Sequence, residues 1–293
     1  MKKSKVYFTR EISEDSLVKM FEVLGVELEG KVCVKLHSGE EGNQNYLKPE
    51  MVKKLVEKVK GVVVECNTAY EGSRDTTEKH TKLMEKHGWT KYFDVDIMDS
   101  EGNDKVLLIP NGKVIKKNYV GKNIDKYDSM LVLSHFKGHP MGGYGGALKQ
   151  FSIGIASSYG KRYIHCVGKE NGTYEDMFKV EQDKFLEAMA DAASSVVSEF
   201  KKIVYINVMC NMSVDCDCCS VAKDPCMQDI GILASLDPVA IDQACIDLVY
   251  SSEDFGKKHL IERIESKNGI HTIECACELG MGIREYEFIE INK

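Results

Sequence analysis

Five cysteines crowd into one stretch of the chain, Cys210-Asn-Met-Ser-Val-Asp-Cys216-Asp-Cys218-Cys219-Ser-Val-Ala-Lys-Asp-Pro-Cys226. Thiolates bind soft and borderline metals strongly, and several on one loop can hold an ion or a cluster at little cost in chain entropy. Cys216, Cys218, Cys219 and Cys226 are therefore the candidate metal ligands, for an iron-sulfur cluster or for zinc or nickel. Their spacing is neither the C-x2-C pair of zinc ribbons nor the C-x2-C-x2-C-x3-C-P run of ferredoxins, so it names no particular metal. Asp215, Asp217 and Asp224 add hard oxygen donors whose charge is expected to raise the thiols and disfavour free thiolates. A surface loop with idle thiols is the bland alternative. A second pair, Cys275-Ala-Cys277, lies in Ile270-His271-Thr-Ile-Glu-Cys275-Ala-Cys277. On a helix these two thiols point about 200° apart, while His271 and Cys275 share a face, and ordinary packing is the expectation there.

The second concentration of chemistry is Ser134-His135-Phe136-Lys137-Gly138-His139-Pro140-Met141-Gly142-Gly143-Tyr144-Gly145-Gly146-Ala147-Leu148-Lys149. Its glycines follow a strand pattern and precede a helix. Gly142, Gly143, Gly145 and Gly146 would let backbone N–H groups approach an anion or a flat ring, so they are candidate cofactor-binding positions. Neither a Walker loop nor G-x-G-x-x-G is present, since Leu148 stands where the last glycine belongs, and no nucleotide is expected. His139, Lys149 and His165 surround the loop and can meet in space as two neutral nitrogens and an amine, with structural hydrogen bonding as the alternative for each histidine. His37, in Lys35-Leu-His37-Ser38-Gly39-Glu40-Glu41-Gly42-Asn43, ends a strand pattern and suits substrate contact or proton transfer. A plain polar turn is equally compatible with it.

The elements that must position these residues alternate. Lys31 to Leu36 and Val62 to Cys66 have strand patterns, and between them Pro49 opens a helix whose Val52, Leu55, Val56 and Val59 recur at helical spacing, with Gly61 placed to cap it. Asp75 is placed to cap a second helix that closes at Gly88, and Val106 to Ile109, Met130 to Leu133 and Ile203 to Val208 complete the expected strands. Leu186, Met189, Ala193, Val196, Val197 and Phe200 form a further helical stripe, and Asp237-Pro238 starts another helix. Strands alternating with helices predict α/β architecture, with mostly parallel sheets flanked by helices. The Cys loop begins where the strand at 203–208 ends, and open sheets place their sites beyond such carboxyl ends. Residues 1–293 are expected to form one unit. An alternative division sets an N-terminal lobe, 1–165, against a C-terminal lobe, 166–293, that bears the Cys-rich loop, with a cleft between them.

Several of these motifs carry a resemblance. His135-Phe-Lys-Gly-His139, Gly142-Gly-Tyr-Gly-Gly-Ala-Leu-Lys149, Asp215-Cys216-Asp-Cys218 and Asp229-Ile-Gly-Ile-Leu-Ala-Ser-Leu-Asp237-Pro-Val-Ala-Ile-Asp242-Gln together resemble the domain-of-unknown-function 362 family, often labelled iron-sulfur centre proteins, from about Lys31 to about Val249. Many members carry an inserted ferredoxin module after the position of His165, where this chain has Cys166-Val-Gly-Lys-Glu-Asn-Gly-Thr-Tyr. A more distant resemblance is to nickel-pincer, lactate racemase-like enzymes, through His139, Lys149 and His165. It implies that Lys149 holds a pyridinium-derived cofactor covalently and that His165 ligates nickel. In Glu71-Gly-Ser73-Arg74-Asp75-Thr-Thr-Glu78, Ser73 stands where that family has a proton-transferring histidine, leaving His80 or His37 for the role.

Composition sets the outer limits. The 293 residues are 43% apolar and 29% charged, with a formal charge of -7, which excludes disorder and argues against nucleic acid and anionic membranes as partners. No apolar run reaches the roughly 20 residues of a membrane span, and the eleven cysteines are an odd number in a chain too long to need a disulfide framework. Reduced thiols in the cytoplasm are expected. Three functions fit: a metalloprotein, iron-sulfur foremost, with a redox role and a redox partner protein; a nickel-pincer-like racemase or isomerase acting on a small hydroxy or carboxylate substrate, with Lys149, His139 and His37 as catalytic residues; and a non-catalytic metal carrier.

Overall fold

The computed structural model describes residues 3–102 and 104–291. Along the chain run β1 (Ser4–Thr9), α1 (Glu14–Glu22), β2 (Val32–Lys35), α2 (Pro49–Val59), β3 (Val62–Glu65), α3 (Thr77–Lys86), α4 (Trp89–Tyr92) and β4 (Val95–Ile97). The middle of the chain holds β5 (Asp104–Leu108), β6 (Lys117–Gly121), β7 (Ser129–His135), β8 (Lys137–His139), β9 (Gly143–Gly145), α5 (Ala147–Ser152) and α6 (Ser158–His165). Then follow α7 (Gln182–Val197), β10 (Lys202–Met209), β11 (Gly231–Ser235), α8 (Pro238–Ser251), α9 (Lys257–Ser266), α10 (His271–Glu278) and β12 (Tyr286–Glu290).

Eight strands form one sheet in the order β12-β1-β11-β10-β7-β2-β3-β4. From β10 to β4 all pairings are parallel, and only β11 runs against its neighbours. The expected parallel α/β architecture is thus found. Every residue of β7 is buried, as a central strand covered on both faces requires. Side chains alternate between two apolar layers: Val32 and Val34 face the layer holding Leu17, Leu55 and Trp89, whereas Cys33 faces that of Phe151, Val239 and Ile273. Helices α1, α2 and α4 cover the first face, and α5, α7, α8 and α10 the second. The sheet takes β7 and β10 as direct neighbours from either side of residue 166, so 1–165 and 166–293 both contribute strands to it.

Local chemistry departs from expectation in three places. Lys60, at φ 51°, takes the left-handed cap of α2 instead of Gly61, whose missing Cβ is needed because it would lie 2.5 Å from Val34. Thr76, not Asp75, caps α3 by accepting from Lys79 N, and Asp75 pairs with Lys79 Nζ. The strand at Val106 to Ile109 exists as β5, but it pairs with β6 in a separate ribbon outside the main sheet. Among the described residues no helix is long and apolar enough to cross a membrane.

What positions the site is the strand order. The chain leaves β2 toward β3 and β4 on one side, whereas β7 and β10 lie on the other, so the loops after β2 and β7 open away from each other. Such a reversal leaves a crevice at the carboxyl ends, where open sheets bind ligands.

Candidate functional site

Four neighbouring strands, β3, β2, β7 and β10, deliver the site residues from their carboxyl ends. Lys35, the last residue of β2, is fully buried and pairs with Glu65, the last of β3, at 2.7 Å. Glu65 also accepts from Ser38 N at 2.9 Å, and Arg74 lies 3.8 Å from it. Arg74 Nε donates to Glu40 at 3.1 Å and its NH2 to Tyr70 at 3.0 Å. Burial alone would raise the Glu65 carboxyl, but Lys35, His37, His80 and Arg74 around it hold it well below the usual range. Burial lowers the Lys35 ammonium, and Glu65 opposes that shift. This buried ion network is the rigid wall on the β2–β3 side.

On the other side β7 turns into the hairpin β8–β9. Asp217 reaches back from the Cys loop to His135 Nδ1 at 2.8 Å and to Lys137 Nζ at 2.8 Å. His135 Nε2 meets Cys210 O at 2.6 Å, so both of its nitrogens face acceptors. Although burial raises Asp217, His135 and Lys137 hold its carboxyl below its ordinary range. The sequence-based expectation that Asp217 raises the thiols holds for Cys210 but not for Cys216, since the Asp217 carboxylate faces His135 and Lys137. Cys216 is instead held well below the usual thiol range, first by a hydrogen bond from the Cys218 thiol and then, against burial, by Lys149, Lys137 and His139. Cys218 moves up in turn.

The glycine loop is shaped by packing. Asp242, buried on α8, accepts from Ala147 N at 2.8 Å, Leu148 N at 2.9 Å, Asn207 Nδ2 at 2.8 Å and the Tyr144 hydroxyl at 3.2 Å. A Cβ on Gly146 would lie 2.5 Å from Asp242 Oδ1, and one on Gly143, at φ 79°, would lie 2.9 Å from Gly269. Gly142 N–H donates to His139 Nδ1, and Gly145 sits against Lys137 and Lys149. Gly143 and Gly146 therefore let the hairpin approach the α9–α10 turn and α8, whereas a Cβ on Gly142 or Gly145 would meet only ordinary contacts, and none of the four lines the cavity described next. The N–H group of Gly142 is taken by His139, and those of Ala147 and Leu148 by Asp242.

A cavity of about 340 Å³ opens between the two walls. His37, His139, Lys149, His165 and Cys218 line it together with Lys35, Glu65, Tyr70, Arg74 and Lys161, and Tyr174, Met177 and Phe178 cover it. Four cationic side chains, Lys35, Arg74, Lys149 and Lys161, line it against one carboxylate, Glu65. Burial foremost lowers all three histidines, His139 to about 4, His165 to about 3 and His37 well below its ordinary value, so they are neutral near pH 7. Their tautomers differ. His37 Nδ1 accepts from Gly39 N, and His139 Nδ1 from Met141 N and Gly142 N, which leaves each ring proton on Nε2. His165 Nδ1 donates to Lys161 O at 2.7 Å and keeps a lone pair on Nε2.

Cys216, Cys218 and His139 offer donor atoms within 4.8 Å of one another. Cys218 Sγ lies 4.0 Å from His139 Nε2, and Lys149 Nζ lies 3.8 Å from Cys216 Sγ. Two thiols and an imidazole fit one soft or borderline ion, which would displace the Nε2 proton and the Cys218 thiol proton on binding. The Cys loop and the glycine loop thus meet at one place. Cys219 stands beside Cys218 outside this group, with its carbonyl accepting from Asn43. Cys226 does not join it: its thiol donates to Met212 O, and it borders a separate recess with Lys223, His259 and Arg263. His80 is buried against Ser38 and Asn67 behind the cavity wall, and Ser73 donates to Glu41 at the surface, so His37 is the histidine of that side that faces the cavity. Sequence reasoning missed Lys35, Glu65, Tyr70, Arg74 and Lys161. The one local signal was charge in otherwise apolar strands, at Lys35 and Glu65.

The fold and its site define an α/β protein with a thiol- and histidine-bearing cavity at the crevice of a mostly parallel sheet. The chain belongs to the family described as the domain of unknown function DUF362, whose model matches residues 32–247. No curated protein matches it. Among solved structures the chain is similar to the lactate racemase apoprotein from Thermoanaerobacterium thermosaccharolyticum, with 18% identity and a TM-score of 0.40 over 69% of this chain and 50% of that one. It is also similar to a protein from Thermotoga maritima, with 11% identity and a TM-score of 0.40 over 90% of this chain and 58% of that one. The chain thus spans less than two thirds of the length of either.

Proposed function

We propose that the chain is a metal-dependent enzyme acting on a small anionic substrate, with the ion held by Cys216, Cys218 and His139. The observation that carries this is that a three-donor set opens into a closed-walled cavity rich in cations. Structural metal sites are four-coordinate and sealed, whereas catalytic ones keep a position free beside a pocket. Donors within 4.8 Å of one another are close to the spacing of ligands around a single ion, about 3.3–3.8 Å, which favours one ion over an iron-sulfur cluster. When bound, the ion supplies Lewis acidity at the cavity wall. The chain's own residues do the rest. Arg74, Lys149 and Lys161 hold the substrate's negative charge, His37 donates Nε2–H to a substrate oxygen, and His165 accepts a proton at Nε2.

A second reading is favoured by His165. Its Nδ1–H bond to Lys161 O is the arrangement that orients a metal-ligating imidazole, and Lys149 lies on the same cavity. The resemblance to nickel-pincer enzymes assigns these two residues to nickel and to a covalently held cofactor, and their common position on the cavity supports that reading.

Elemental analysis of protein purified anaerobically and without affinity metal tests both. Under the first reading Cys216→Ser with Cys218→Ser lowers the metal content by about one ion per chain, while Lys149→Ala leaves it unchanged. Nickel that is lost in Lys149→Ala and kept in the Cys double variant supports the second reading. Metal content unchanged in all of these variants sinks both.

A further inference from the structure

A second group of mixed donors lies outside the cavity, between α7 and α10. Glu187, His271 and Cys275 place one carboxylate oxygen, one ring nitrogen and one sulfur within 4.8 Å of one another. His271 and Cys275 are one turn apart on α10, and Glu187 faces them from α7. His271 Nε2 lies 3.5 Å from Cys275 Sγ and 3.5 Å from Glu187 Oε1. One ring nitrogen cannot serve two neighbours well. The same distances are those between ligands of one tetrahedral ion, about 3.3–3.8 Å.

The surroundings have the outer partners that such a site uses. Glu274 Oε2 lies 3.5 Å from His271 Nδ1, on the side away from the other two donors, and Arg284 holds Glu274 at 3.1 Å. A carboxylate behind a ligating imidazole fixes its orientation and raises its basicity. Burial pushes the Cys275 thiol up to about 11, and Lys113 Nζ, 3.7 Å from the sulfur and paired with Glu278, offsets part of that shift. Cys275 is fully buried and forms the floor, whereas Glu187 and His271 are partly exposed and leave an entry from solvent.

We propose that Glu187, His271 and Cys275 bind a divalent ion of the zinc class, which clamps α10 to α7 independently of the cavity. The donors are one soft, one borderline and one hard group, and they leave one coordination position to water. Because α7 also packs on α5, which carries Lys149, the clamp steadies the helical side of the cavity without contributing to it.

Cobalt(II) titration of the Cys216→Ser, Cys218→Ser double variant tests this, because the cavity donors are then disabled. About one equivalent is expected, with a near-ultraviolet thiolate-to-cobalt band. Adding Cys275→Ser abolishes the band, and adding Glu187→Gln, a change at a partly exposed carboxylate that the fold tolerates, weakens cobalt binding at least about tenfold. The assignment is overturned if the double variant takes up no cobalt, if the band survives Cys275→Ser, or if Glu187→Gln leaves the affinity unchanged. A metal-free cavity with this clamp still loaded would overturn the proposed function and leave the clamp standing.

Discussion

Two buried aspartates hold the two loops that meet at the cavity, and they do so by different physics. Asp217 ties the Cys loop to the end of β7 through charge, facing His135 and Lys137 at 2.8 Å each. Asp242 ties the glycine loop to α8 through four hydrogen-bond donors, none of them a cation. The cations beside Asp217 keep its carboxyl low, whereas burial pushes Asp242 up to about 6. The difference teaches how the two loops are held: one anchor uses its charge on His135 and Lys137, and the other fixes the loop before Lys149 through hydrogen bonds without drawing on the charge of Lys149.

The largest effect expected from this contrast is in Asp217→Asn. It leaves buried cationic partners without a counter-charge and should cost about 3–5 kcal/mol, read as a lower denaturant midpoint at unchanged slope. A loss below about 1 kcal/mol would show that charge is not what holds the Cys loop. Next comes the pH response of Asp242. Its folded value of about 6 lies above the unfolded carboxylate's, so its contribution is fully present below about pH 4 and fades as pH rises through about 6. The stability of wild type minus that of Asp242→Asn, which does not titrate, should therefore fall by about 2–3 kcal/mol between pH 4 and pH 7. A difference that grows over that window would make the two anchors alike. The smallest change is Gly146→Ala, whose Cβ meets Asp242 Oδ1 at 2.5 Å. About 1–3 kcal/mol of destabilisation is expected, together with weaker metal retention if Lys149 shifts. Full stability in this variant would mean that the loop is not braced by Asp242.

How far the sequence could be read follows the same division. Strands at β2, β3, β7 and β10 and the helices between them have apolar periodicities that are local, and so is the placement of the Cys loop after β10. The meeting of His139, Lys149 and His165 was legible because they lie on β8, α5 and α6 of one short continuous segment. The ion network was not, since Arg74 and Glu40 are 34 residues apart and the pair Asp217 and His135 is 82 apart. Cys226 misled for the opposite reason. It is close to Cys219 in sequence, but its N–H and thiol both turn to Met212 O, on the far side of the loop. The glycines were read as making room for a ligand, whereas the room is taken by Asp242 and by the α9–α10 turn, partners that no local pattern announces.

The outer strands have a consequence for the order of events in folding. β1 pairs on one side with β11 and on the other with β12, so Val6 sits beside Ser235 and Phe288. Asp237 draws the same regions together by accepting from Ser4 Oγ and Ile283 N while capping α8. Contacts of such sequence separation must close long loops before they return any stabilisation, which slows folding. The core of β2, β3, β7 and β10 can therefore assemble well ahead of the β1–β12 margin. Until that margin closes, β11 is an open apolar edge, and refolding at high concentration should lose material to edge-to-edge aggregation at that stage.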